Sequence, residues 1–495
     1  ADIKSAQQLL KDVPRDDPIK ALQDITGWIE SVRDNTGFYL DKRFEIISLL
    51  DETARPALRK LVREYFSSAT LTKFQENRIW MVLNEFYLQN DLAYFRILSG
   101  YRENEKGSAS IKASLALIVA RGIHALVGRL KLLASRYEQV DPICWQHLAE
   151  YYKHAEAGHY LNDPVNLYAT LAQQTSVKNR FASVVIWYGS CSTTFTPLHI
   201  HLAERLSAHF SKHFSVDAQF VPGGLYCMDL ENATAPIRVT PDTKAGSALR
   251  IVGAGDARPH FEALSKSLEK QVVPDQINFG GTYEAVAIRE VVRRLLAFWG
   301  APPPIRRHAR RQARVPMHMV MGYAQMIDGA TGPMSAGSPD WEVEDISAAG
   351  FRCVLAPKSA EGVRIGLILG IRPEKVEALG VAIVRRLSRD AQGNLHAGME
   401  ILANRSVAVE LHIQGGSAGA GMQKALWLAN PGSDASEVTL LMRAGSYSGT
   451  HSLKTRLEGK EYLLMPVALA EKGLDYDLAR FRKIEQDEGS ESESY

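Results

Sequence analysis

The chain has 495 residues, 45% of them hydrophobic and 23% charged, which is too long for one compact domain and ordinary in its capacity to bury apolar cores. Its 58 basic residues against 56 acidic ones exclude a global pull toward nucleic acid. The four cysteines, Cys144, Cys191, Cys227 and Cys353, lie far apart with no C-x-x-C spacing, which argues against a zinc ribbon and a disulfide framework and fits small core residues of a reducing compartment.

From about Asp17 to Tyr168 the apolar period is helical nearly throughout. In Ile111–Leu133, residues such as Ile111, Leu115, Ile118 and Leu126 recur at three- and four-residue spacing and form one broad stripe. Segments near Ile19–Val32, Phe44–Val62, Leu71–Leu98 and Pro142–His154 repeat the theme, with Ser, Asn, Asp and Gly clusters as caps and stops. Residues 1–175 are therefore expected to form an α-helical bundle or short solenoid, an interaction surface for a protein partner. Over 176–300 the period mixes. Short strands are expected at Ala218–Val221, Leu225–Leu230, Pro236–Thr240 and Ala248–Gly253, with helices at Arg258–Lys270 and Tyr283–Trp299, an α+β segment continuing the N-terminal region. The N-terminus lacks an apolar signal segment, and no run is expected to approach the ~20 apolar residues that span a bilayer. A cytoplasmic protein without a membrane span is the expectation.

Ala301-Pro-Pro-Pro304 breaks the last helix and makes a semi-rigid spacer. Behind it comes a locally cationic run, Arg306-Arg307-His308-Ala309-Arg310-Arg311-Gln312-Ala313-Arg314, leading into the strand-like Val315–Val320. Further on, Asp345-Ile346-Ser347-Ala348-Ala349-Gly350 leads into the strand-like Phe351–Leu355. The pair reads RxxxR, then DxSxxG. Guanidinium groups meet phosphate oxygens and guanine O6/N7 in bidentate fashion, and they stack on base planes. A carboxylate accepts from the guanine N1–H and N2–H₂ donors, a hydroxyl bonds a polar edge, and glycine lets backbone approach closely. Arg310, Arg311, Arg314, Asp345, Ser347 and Gly350 fit those roles for a ligand carrying phosphates and guanines.

The two motifs in this order resemble those of the PilZ domain, a small bacterial β-barrel. The segments Gly380–Arg389 and His396–Leu402, joined by the turn Asp390–Gly393, resemble its last two strands. The resemblance spans roughly Arg306–Leu402. It departs from the pattern at the Gly/Pro/Ser-rich Asp328–Asp340, read as a surface insertion, and at Ile401, where an aromatic is frequent. It implies an antiparallel barrel over 301–405 that binds cyclic di-GMP through those six residues, ordering of the arginine hinge on binding, and signalling through a protein partner. An alternative is a ligand-independent PilZ-like adaptor.

After Leu402 a second β-rich unit is expected over 406–484, with strands at Val407–Ile413, Ala425–Leu428, Glu437–Met442, Ser452–Leu457 and Glu461–Val467, as a small barrel or sandwich. The acidic, Ser-rich 485–495 is expected to be disordered. The whole is thus a multidomain α+β chain.

Other constellations read as structural. His209 and His213 have the spacing of two zinc ligands on a helix, but the intervening Phe-Ser-Lys lacks the glutamate of HExxH. Tyr188-Gly-Ser-Cys-Ser192 lacks the second glycine of a nucleophile elbow. Gly415-Gly-Ser-Ala-Gly-Ala-Gly421 lacks the Gly-Lys-Ser/Thr of a phosphate-binding loop and reads as a hairpin loop. The basic run has no interleaved aromatics for nucleic acid. With no acid/base pair, metal set or cofactor fingerprint, a regulator is expected rather than an enzyme.

Overall fold

The computed structural model describes residues 7–8, 10–67, 70–171, 173–191, 193–300, 309–331, 340–374, 376–414, 422–429 and 436–486. It comprises two compact units, Ala1–Ile305 and Arg306–Tyr495. The spacer at 301–304, the glycine loop at 415–421 and the last nine residues lie outside the described residues.

The first unit begins with five long helices: α1 (Pro18–Asp34), α2 (Leu40–Ser67), α3 (Lys73–Arg102), α4 (Leu115–Ser135) and α5 (Pro142–Ala157). Their starts follow from local chemistry. Asp17 caps α1 by accepting from Lys20 N, with Pro18 in the first turn, and Asp141 with Pro142 does the same for α5. Thr72 and Gln75 form a reciprocal capping box on α3. The expected Ile111–Leu133 stripe is interrupted by a tight turn at Lys112–Ser114 and resumes as α4.

Helix α4 is buried nearly all round and packs on α3 and α5. Against expectation, Ser108–Ser135 is long and apolar enough to cross a membrane by length and composition, and 67% of its most apolar window is buried within the unit. Arg121 and Lys131 along it are both ion-paired, as befits the central helix of a bundle.

Two further helices, α6 (Val177–Cys191) and α7 (Pro197–His209), stand where no helix was read apart from the histidine segment. His209 ends α7 and His213 sits in a separate turn, Ser211–His213. The expected helical pair of histidines therefore does not form, and no metal-holding group occurs among the described residues. Four antiparallel strands follow, β1 (Ser215–Asp217), β2 (Gly224–Asp229), β3 (Ile237–Arg238) and β4 (Leu249–Gly253), in the order β1-β4-β2-β3. The first lies ahead of the expected Ala218–Val221, which form a bend between β1 and the turn at Gly223, φ +87°, that leads into β2. Helices α8 (Ala257–Glu269) and α9 (Ala285–Trp299) complete the unit. One apolar cluster runs from Leu22 to Trp299, so the helices and the α+β segment share a core.

The second unit holds two closed antiparallel six-stranded barrels. The first uses β5 (Arg311–Met321), β6 (Asp340–Ser347), β7 (Gly350–Leu355), β8 (Ile368–Pro373), β9 (Gly380–Arg389) and β10 (Leu395–Ala403), in the order β10-β7-β6-β5-β8-β9. The second uses β11 (Arg405–Ile413), β12 (Gln423–Ala429), β13 (Glu437–Arg443), β14 (Leu453–Leu457), β15 (Lys460–Lys472) and β16 (Tyr476–Gln486). Its order is β11-β12-β13-β16-β15-β14, and β16, absent from the sequence reading, closes it by pairing with both β13 and β15. Part of the segment read as a surface insertion belongs to a helix, Tyr323–Thr331, whose Tyr323, Met326 and Ile327 share an apolar cluster with Ile383 of one barrel and Leu441 of the other.

Candidate functional site

Strands β5 and β6 bring the two sequence motifs together. Arg311 pairs with Ile346 and Gln312 with Asp345 across the ladder, so RxxxR runs beside the start of DxSxxG. Arg310, just ahead of β5, donates from Nη1 to Asp345 Oδ1 at 2.8 Å. Two residues on, the ladder slips between Gln312 and Val315, leaving Ala313 and Arg314 in the irregular stretch. Arg311 and Arg314 are exposed and form no ion pair with a described residue. Arg306, Arg307 and His308 lie outside the described residues.

A second slip, between Val343 and Asp345 on the β6–β7 ladder, changes which way the acids point. Neighbours on a regular strand face opposite sides, and the extra residue lets Glu344 and Asp345 serve the same outer surface. Arg352 joins them, with Nε 2.7 Å from Glu344 Oε2 and 3.4 Å from Asp345 Oδ2. His396 on β10 places Nδ1 3.1 Å from Glu344 Oε2 and Nε2 3.3 Å from Asp390 Oδ2. The result is a continuous charged row on the barrel wall, Arg310–Asp345–Arg352–Glu344–His396–Asp390. Arg352, Glu344 and His396 were not among the expected site residues. The two-residue turn Ala348-Ala349 pairs Ser347 with Gly350, which sets Asp345 opposite Arg352; that hairpin was the signal for Arg352.

Two of the expected ligand-contacting residues also have structural roles. The Ser347 hydroxyl donates to Gly350 O at 2.9 Å and ties the hairpin. A Cβ at Gly350 would stand 2.1 Å from Met399 O, so glycine there admits the backbone of β10. Elsewhere, a Cβ at Gly189 would meet the Tyr226 ring at 2.4 Å, and the Ser190 hydroxyl donates to Ile186 O within its own helix. The Tyr188–Ser190 segment is thus helix packing. Cys144, Cys227 and Cys353 are free and buried, and burial raises their thiol pKa values.

Residues 4–219 match the family model described as Cyclic-di-GMP receptor FimW, N-terminal domain. The match lies in the helical unit and ends before the barrels. It indicates a cyclic di-GMP receptor, a binding and regulatory protein rather than an enzyme, whose ligand is cyclic di-GMP. No curated protein and no solved structure matches the chain.

Proposed function

We propose that the chain is a cyclic di-GMP effector of PilZ type that takes its ligand on the outer wall of the first barrel. The observation that carries this reading is the Arg310–Asp345 contact at 2.8 Å, beside which Arg311 and Arg314 are exposed. Both phosphates of the dinucleotide find guanidinium donors there, and Asp345 accepts from a guanine edge. Ligand exchanges the Arg310–Asp345 pair for a phosphate and a base, which costs little because a partly exposed ion pair is worth at most about 1 kcal/mol. Ser347 and Gly350 act by holding the hairpin that aims Asp345.

Calorimetric titration tests the site. Arg311→Ala and Arg314→Ala should each weaken binding by about 1.5–3 kcal/mol, the range for hydrogen bonds to charged groups, with unchanged melting. Wild-type affinity in both variants removes these arginines from the site, and the absence of any heat with wild type favours the ligand-independent adaptor. The proposed switch is the ordering of the arginine segment by phosphate, read out in the cytoplasm by a protein partner on the helical unit. Amide exchange over Arg310–Arg314 should slow when ligand is added. Equal exchange in a saturated sample would leave a preformed site and no switch.

A further inference from the structure

Buried cations in the helical unit gather where their pairing is incomplete. Arg55 on α2, His124 on α4 and Arg180 on α6 meet there. Arg55 Nη2 lies 3.1 Å from His124 Nε2, and Arg180 Nη2 lies 3.2 Å from His124 Nδ1. A neutral imidazole has one lone-pair nitrogen and one N–H, so it accepts from only one of two guanidiniums. The other guanidinium faces a donor. Protonating the ring does not help, since burial and then Arg55 and Arg180 hold its pKa well below the ordinary value. Arg180 is 5% exposed, and its Nε has no hydrogen-bond partner.

The carboxylates nearby either bond other groups or stand back from the cluster. Asp51 Oδ2 accepts from Tyr94 and Tyr168, and its Oδ1 stands 4.0 Å from Arg55 Nη1, beyond hydrogen-bond reach. Glu52 takes Arg121 at 2.5 Å, and Glu204 takes Lys131 at 2.9 Å. Arg180 Nε is thus left without an acceptor, while Asp51 Oδ1, itself without a hydrogen-bond partner, faces Arg55 across 4.0 Å. The cluster is not wholly sealed, because 13% of the Arg55 side chain is exposed.

We propose that Arg55, His124 and Arg180 form an anion site for a phosphate group. The three groups come from three helices, and a phosphate offers acceptors on more oxygens than a carboxylate does. Such a group supplies the acceptors that Arg180 Nε and the second guanidinium lack, and it offsets their mutual repulsion. The site stands independently of the ligand proposed for the barrel.

Thermal unfolding of the full chain tests it, with millimolar inorganic phosphate exchanged for chloride at matched ionic strength. The transition of the helical unit should rise by roughly 2–4 °C in wild type. Arg180→Met should lose that rise, and Arg55→Gln, at a half-buried position, should lose it too should the first variant fail to fold. Arg314→Ala in the barrel should keep it. Cyclic di-GMP as a second probe, added to Arg314→Ala, distinguishes a phosphodiester from free phosphate as the source. The proposal is overturned by no rise with phosphate in wild type together with none with cyclic di-GMP in Arg314→Ala, by a rise that persists in both helical variants, or by its loss in Arg314→Ala.

Discussion

The two units handle the same chemistry in opposite solvents. In the helical unit Lys131 and Glu204 are paired with side chains only 7% and 6% exposed, and Asp91 bonds His147 and Tyr151 inside the core. On the barrel wall Arg352 is 45% exposed and Arg310 29%. A buried pair cannot be opened without stranding an uncompensated charge in a poorly polarisable interior. A wall pair can be opened at little cost, because water solvates both halves. Charges on the wall are thus exchangeable for a ligand's charges, whereas those in the core fix the packing of helices. The Arg55–His124–Arg180 cluster is the departure inside the core, where burial is complete enough to be costly and pairing is not.

The sharpest way to break this contrast is to open a core pair. Lys131→Met leaves Glu204 buried without its partner and should cost the helical unit about 3–5 kcal/mol, while Lys131→Met with Glu204→Met should be close to neutral. Denaturant unfolding followed at helical and barrel tryptophans separates the units. A cost below about 1 kcal/mol for the single variant would place this pair with the surface pairs. The same pair predicts acid sensitivity. Burial pushes the Glu204 carboxyl up, but Lys131, Arg205 and Arg180 outweigh it and hold the pKa at about 2, below the ordinary 4.5. A depressed folded value means the stabilisation is complete above the unfolded pKa and fades as pH falls from 4.5 toward 2. The double variant should flatten that slope, and a slope equal to wild type would remove Glu204 from it.

An intermediate effect is expected at the hairpin that carries the motif. Gly350→Ala forces a methyl group against Met399 O, and overpacking of this kind costs about 1–3 kcal/mol. The loss should appear in barrel stability with or without cyclic di-GMP. A variant that melts like wild type yet binds poorly would restore the role first expected for this glycine, close approach of ligand to backbone.

What was legible in the sequence follows the same division. Helices α1, α3 and α5 announce themselves through Asp17, Thr72 and Asp141 and through one-sided apolar stripes. Helix α6 does not, because Phe181, Ala182, Val184, Val185, Ile186 and Trp187 are all buried and leave no polar face to define a period. The helix at Tyr323–Thr331 takes its start from Asp475 Oδ2, which accepts from Tyr323 N across the fold, a cap that local sequence cannot reveal. Strand β16 was hidden by Asp477, a charged residue 2% exposed that accepts from Tyr447 N. In the candidate site, the motif gave Arg310 and Asp345 as ligand contacts, and their pairing with each other emerges only in the fold. The slip at Glu344 that turns a second acid outward depends on ladder register, and residue types alone do not set it.

The smallest expected effect on stability is also the one that most sharpens the functional reading. Asp345 is tied to Arg310 at 2.8 Å and to Arg352 at 3.4 Å, yet both arginines reach solvent, so Asp345→Ala should cost the barrel no more than about 1 kcal/mol. Its effect on binding should be selective. Removing the carboxylate takes away the acceptor for guanine N1–H and N2–H₂ while leaving Arg311 and Arg314 to attract phosphate. The variant should therefore retain affinity for cyclic dinucleotides in general and lose its preference for cyclic di-GMP over cyclic di-AMP, measured by competition at fixed salt. An undiminished preference would mean that guanine is read by another group, and Arg352, the exposed cation beside Asp345 on the same wall, becomes the residue to substitute next.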